Sequence, residues 1–214
     1  MKIFKFLADF VYYWIAVFYA PEFPDTGKNP DIVVPLGYGY DDYSLPDAAV
    51  QTTKQAAAVA LKHQAKIVFC NVDYFGVILE ITENSSKRII LERLKVNPLN
   101  ILEARACQNS VTEARYICQC LKDNHIEPKV IRVICEDMHI RSVKLIWEQV
   151  VNQEFPLAQV ELKSVSATWS KAHSVFWRRS RWRWLLANWA RHLALLVMGV
   201  DWVAKKQYSS QPTA

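Results

Sequence analysis

Three short clusters carry the side chains with which this sequence could do chemistry: Gly37 and Gly39 in LGYGYDD, Asn109 and Ser110 in CQNSVTEA, and His139 and Arg141 in CEDMHIR. A guanidinium offers a planar fork to carboxylate or phosphate, and an imidazole gains or loses a proton near neutrality. Paired glycines let the backbone approach a ligand closely. Asn109 and Ser110 add short polar side chains and, where they open a helix, N–H groups with no partner inside it. Together these groups suit a small anion, with His139 as the candidate acid–base residue. Each cluster also has a plainer account. Asn109 and Ser110 are good helix caps, and Arg141 could simply pair with Asp137 or Glu136 at a helix start. Ser110 with His139, its ring oriented by Glu136 or Asp137, is the one nucleophile–base arrangement on offer.

The elements around the clusters decide whether they meet. Val130 to Cys135 is rich in β-branched residues, the pattern of a strand buried on both faces of a parallel sheet. Asp137 is placed to cap the next helix, where Ile140, Val143, Ile146, Trp147 and Val150 recur at helical spacing with Lys144 and Glu148 outward. Asp31 to Leu36 is the first strand, with Pro35 near its end because proline cannot donate to a ladder. Ser44 and Asp47 have capping-box spacing around Pro46 and open a helix to His63. Lys66 to Cys70 is the second strand. Tyr74 to Lys95 reads as helix in one or two pieces, broken near Asn84-Ser85-Ser86, with Glu80 and Glu83 on a solvated face.

Ile101 to Cys107, interrupted by Glu103 and Arg105, is a third strand nearer an edge. Ser110 and Glu113 then have capping-box spacing for a helix to about His125, and Gln159 to Val165 is the fifth strand. This alternation predicts an α/β fold: a Rossmann-like, doubly wound, mainly parallel sheet of about five strands, with aromatic-rich terminal helices. Right-handed crossovers would bring the three clusters to one rim, beyond the carboxyl ends of the strands.

Composition removes several alternatives. A chain of 214 residues with 51% hydrophobic content buries one good core, and one domain with terminal additions fits it. The five cysteines (70, 107, 118, 120 and 135) form no even framework and no C-x-x-C pair, so a reducing, cytoplasmic compartment is expected. The dinucleotide fingerprint needs a third glycine where Asp42 stands, and there is neither a P-loop nor a G-x-S-x-G elbow. His63, His125, His173 and His192 are too scattered to predict a metal cluster.

Three segments follow: an aromatic helix and proline-rich linker at 1–30, the α/β domain at 31–166, and a basic tail at 167–214. From Lys163 to Lys206 there are nine Lys or Arg and one acid, Asp201, which gives +8 of the net +5 and leaves −3 elsewhere. Six of the eight tryptophans lie in the same tail. Tryptophan with arginine suits a membrane interface, so an anionic membrane surface is an expected partner, at the inner face of the plasma membrane. Arg191 and His192 near the middle of the tail's apolar stretch favour an in-plane helix over a span. Nucleic acid is the weaker partner, since it leaves Leu185, Leu186, Leu193, Leu195 and Leu196 unexplained. Lys2 to Ala20, interrupted by Lys5 and Asp9 and rich in tyrosine, is likewise expected to lie in or on an interface, or to pack on the domain.

Asp31 to Val165 resembles the bacterial SanA, YdcF and ElyC-like α/β domain. The resemblance is carried by an opening strand followed by glycines (DIVVPLGYG), by Asn109-Ser110-Val111-Thr112-Glu113-Ala114, and by a late strand leading into His-x-Arg, Cys135 to Arg141. Ser110 stands where the family has threonine, and Cys135 and Glu136 replace a Thr-Ser pair. Cys70-Asn71-Val72 replaces Ser-Gly-Gly, and the helix-start glutamate that follows has two candidates, Glu80 and Glu83. The resemblance implies a Rossmann-type domain, a link to the cell envelope, and a nucleotide-like ligand such as S-adenosylmethionine. It also implies that Gly37, Gly39, Asn109, Ser110, His139 and Arg141 line the crevice, with Arg141 holding the anion. The competing expectation is a membrane-surface protein that works through its tail, its crevice vestigial.

Overall fold

The computed structural model describes residues 27–39, 45–72, 83–168 and 176–203. Its centre is a five-stranded sheet, all parallel, in the order β3-β2-β1-β4-β5. The strands are β1 (Ile32–Pro35), β2 (Lys66–Val72), β3 (Ile101–Cys107), β4 (Val130–Glu136) and β5 (Gln159–Val165). Every residue of β1 and β4 is buried, as central strands covered on both faces must be. The helices are α1 (Asp47–His63), α2 (Glu83–Arg93), α3 (Ser110–Asp123), α4 (Ile140–Glu154) and α5 (Arg181–Met198). This is the expected Rossmann-like α/β arrangement. The charged third strand does lie at an edge.

The pleat divides the core in two. Ile32, Val34, Val68, Cys70, Val133 and Cys135 face α3 and α4, whereas Val33, Ile67, Phe69 and Ile134 face α1 and α2. α1 presents Ala49, Ala56, Ala57 and Ala60 to the sheet, small residues that let the helix approach it closely. Pro35 ends β1 opposite Ile134, and the ladder resumes at Leu36, whose N–H donates to Ile134 O at 3.1 Å. Cys70, Cys107 and Cys135 are free, buried core residues, as their apolar surroundings in sequence imply.

Several expected helix starts are corrected. α1 has Pro46 as its N-cap, with no side-chain cap bond; Asp47 instead accepts from Thr168 and Gln51. The cap of α3 is Asn109, not Ser110: its side chain accepts from Val111 N and Thr112 N at 3.0 and 2.9 Å, and Thr112 completes the box. Asp137 does not cap α4. It opens a 3₁₀ turn, Asp137–His139, and α4 begins after it with no side-chain cap. The polar triplet Asn84-Ser85-Ser86 lies in the first turns of α2, and the part of the expected helical stretch before Glu83 falls outside the described residues. Loss of the Asn109 cap strands two N–H groups, so Asn109→Ala should lower unfolding free energy by about 1 kcal/mol in a denaturant titration. An unchanged midpoint would show that water replaces the cap.

β1 and β4 are neighbours whose connections leave in opposite directions, to β2 and to β5. The gap beyond their carboxyl ends is therefore the topological switch point, where open α/β sheets form a crevice. The loop after β1 and the turn after β4 both open onto it. Residues 1–26, including the aromatic segment and most of the linker, lie outside the described residues, as do 40–44, 73–82, 169–175 and 204–214.

Candidate functional site

The glycine loop at the switch point is occupied by the protein's own carboxylates. Gly37 N–H donates to Glu113 Oε1 at 2.8 Å, Tyr38 N–H to Glu83 Oε1 at 2.9 Å and Gly39 N–H to Glu83 Oε2 at 3.1 Å. Three successive N–H groups turned to one side form a concavity that binds anions, and φ of +75° at Gly39 makes the turn feasible. The sequence suggested that these glycines would meet a ligand. They meet two buried acids.

Glu83 is not on a solvated helix face. It opens α2 fully buried, pairs with Lys87 at 3.0 Å one turn later, and Lys87 donates to the carbonyls of Pro35 and Leu36. Glu113 is released for Gly37 because Thr112, not Glu113, closes the capping box of α3. Burial pushes the Glu113 carboxyl up to about 7, against the pull of Lys87 and the Gly37 N–H.

The second half of the rim is closed by the tail. The turn Phe176–Arg179 and α5 lie across the crevice and bring Arg178, Trp184 and Arg191 to it. Arg178 Nη1 donates to Tyr38 O at 2.6 Å, its guanidinium lying 4.4 Å from the Tyr38 ring centre and 4.5 Å from that of Trp184. Trp184 Nε1 donates to Glu136 Oε2 at 2.5 Å, and Glu136 N–H donates to Tyr38 Oη at 2.6 Å. Burial, and then the neighbouring Asp137, hold the Glu136 carboxyl well above the ordinary acid range.

His139 is 2% exposed, edge-on to Trp184 and Tyr38. Its Nε2 lies 3.0 Å from Arg191 Nη1. Because a guanidinium only donates, Nε2 accepts and the ring proton sits on Nδ1. Burial, with Arg191 and Arg178 nearby, pushes the imidazole well below its usual range, and it stays neutral. The Ser110–His139 pair does not form, since the ring bonds to Arg191, and Glu136, bonded to Trp184, does not orient it.

Of the sequence-picked residues, Gly37, Gly39, Asn109, Ser110 and His139 stand at the rim. Arg141 is half-buried on α4 beside His192 of α5. The guanidinium that reaches the glycine loop is that of Arg178. Lys87, Glu113, Arg178, Trp184 and Arg191 were not expected there, whereas Glu136 was expected beside His139 and Glu83 only as one of two candidates for a helix-start glutamate. The Glu83/Lys87 spacing was visible, but it looks like any exposed i,i+4 pair. Among the buried nitrogens without a hydrogen-bond acceptor, three stand at this rim: His139 Nδ1, Arg178 Nε and Asn109 Nδ2; Trp147 Nε1, on α4, is another. An open cavity of about 740 Å³ at the opposite end, beside Lys122, Glu154 and Phe155, has no such orphaned group. Among the described residues no three His, Cys, Asp or Glu side chains gather as a metal site.

No family model matches the chain, and no curated protein does. Among solved structures, a universal stress protein in complex with cAMP is similar over 66% of this chain and 100% of its own, with 12% identity and a TM-score of 0.40.

Proposed function

We propose that the switch-point rim binds a small anionic or nucleotide-like ligand, a mononucleotide or S-adenosylmethionine, in a SanA/YdcF/ElyC-like domain with an envelope-related role. The supporting observation is the set of orphaned donors. His139 Nδ1–H, Arg178 Nε–H and the Asn109 amide are buried N–H groups without acceptors, and a buried unmet donor is costly. An oxygen-rich ligand supplies what they lack. The acids already in the glycine loop set the limit on its charge, because Glu83 and Glu113 occupy the N–H groups that would otherwise cradle a phosphate. His139 fits a hydrogen-bond donor to that ligand better than a nucleophile's base, its lone pair being held by Arg191. The same tail gives a second proposed partner, an anionic membrane surface, through the side of α5 turned away from the rim.

The test is thermal melting of the full chain against S-adenosylmethionine, AMP, ADP, ATP and inorganic phosphate. A ligand at one hundred times its Kd should raise Tm by on the order of 5 °C. His139→Phe keeps an aromatic ring between Tyr38 and Trp184 but removes one of the three donors, and Arg178→Met removes a second. Both should abolish the shift. A shift undiminished in both variants would place the ligand elsewhere, and no shift with any compound would end the proposal for this ligand class.

A further inference from the structure

α5 has two apolar sides, and the rim uses one. Trp184, Leu185, Asn188 and Leu195 are buried against the domain. On the opposite side Leu186, Trp189, Leu193, Leu196 and Val197 follow one another at spacings of three, four, three and one, so they share a single stripe. They are large and exposed: 60% for Leu186, 58% for Leu193, 59% for Leu196 and 79% for Val197. Phe176, Trp177 and Trp202 are exposed in the same part of the fold. A contiguous apolar stripe of this kind in water marks a binding surface.

Charge selects the occupant. The span from Lys163 to Lys206 carries +8, and its one acid, Asp201, is ion-paired with Arg115 of α3. Arg179 and Arg183 lie exposed near the start of the stripe, and the Arg183 guanidinium sits over the Phe176 ring at 4.3 Å. An apolar strip bearing tryptophan and bordered by arginines fits the boundary between acyl chains and anionic headgroups. No helix among the described residues is long and apolar enough to cross a membrane, so the fit is in-plane.

We propose that α5 docks as a folded, rigid helix in the plane of an anionic bilayer, inserting Leu186, Trp189, Leu193, Leu196 and Val197 while its inner side stays on the rim. This rests on the membrane reading of the tail and adds the docking face, its orientation and its rigidity. The rim is then held directly beneath the lipid surface by Trp184 and Arg191, rather than released from it.

An environment-sensitive fluorophore at Leu193→Cys, in a full chain carrying Cys120→Ser, reads the outer side. The expected result is a blue shift with phosphatidylglycerol vesicles, none with phosphatidylcholine vesicles, and unchanged protection of the Trp184 indole N–H against hydrogen exchange. Leu186→Gln with Leu193→Gln and Val197→Gln should cut flotation of the full chain with anionic vesicles by about tenfold or more, at an unchanged melting temperature. A blue shift before lipid is added would mean the chain covers its own stripe, and one that grows with protein concentration would mean a second copy does. A response to nucleic acid alone would mean a different partner. Each of these overturns the proposal. Flotation that survives the triple substitution, with Leu193 still in water, overturns docking through α5 while leaving attachment by another segment, and loss of Trp184 protection overturns the rigid mode alone.

Discussion

Glu113→Gln is expected to stabilise the protein at pH 8 by about 3 kcal/mol and to change it little at pH 4. Burial lifts the Glu113 carboxyl from an ordinary 4.5 to about 7 in the folded chain, and each unit is worth about 1.4 kcal/mol. An acid whose folded pKa is raised contributes stability that is fully present below its unfolded pKa. That contribution is lost as pH rises through the folded value, because the unfolded state releases its proton first. The loss therefore runs from about pH 4.5 to about pH 7. Glutamine keeps the oxygen that accepts from Gly37 N–H and removes the charge. His139 works in the opposite direction: its folded pKa is depressed, so it favours the folded state as pH rises toward the ordinary histidine range. The two slopes partly cancel in the wild-type curve. They do not cancel in the difference between wild type and Glu113→Gln, which isolates Glu113. Guanidinium titrations at four pH values from 4 to 8 measure it, and a difference independent of pH would show that Glu113 is not buried as a neutral acid.

The parts of this fold legible in the sequence are those that follow from local periodicity. β1, β3 and β5 stand close to where apolar runs and turn residues put them, and β4 ends at the rim because VIRVIC cannot be accommodated anywhere but inside a sheet. The place of His139 at the rim was also readable, though its burial under Trp184 was not. What the sequence concealed is set by contacts between distant segments. Glu83 and Lys87 look like a solvated pair because helical spacing is the same for an exposed face as for one turned onto the glycine loop. The cap of α3 was displaced by one residue, since Asn109 and Ser110 are both good caps and only the Thr112 hydroxyl decides between them. That displacement is what frees Glu113. Arg178 and Trp184 come from a tail whose composition suggested lipid, and composition cannot tell which side of an amphipathic helix faces the domain. The inner side of this helix packs on the rim, and its outer side carries the exposed stripe for which a membrane partner is proposed.

Lys87→Met should be among the most damaging substitutions in the chain, lowering unfolding free energy by about 3–5 kcal/mol. Methionine matches much of the lysine stem, so little cavity forms and the effect reads the charge. The lysine is fully buried with Glu83 at 3.0 Å and also satisfies the carbonyls of Pro35 and Leu36. Without it Glu83 is a carboxylate out of water with only the N–H groups of Tyr38 and Gly39 to hold it. Taking two charges out of water costs nearly as much as their attraction returns, whereas leaving one there alone does not balance at all. The double variant Glu83→Gln with Lys87→Met should therefore lose less than the sum of the single changes, with a coupling of about 2 kcal/mol or more. Chemical denaturation of the four proteins measures the cycle. The amides of Tyr38 and Gly39 supply a local readout, since hydrogen exchange there should speed up in Lys87→Met more than in the centre of β4. A Lys87→Met protein within 1 kcal/mol of wild type would show that water reaches the pair, and the glycine loop would then owe its shape to β1 and β4 alone.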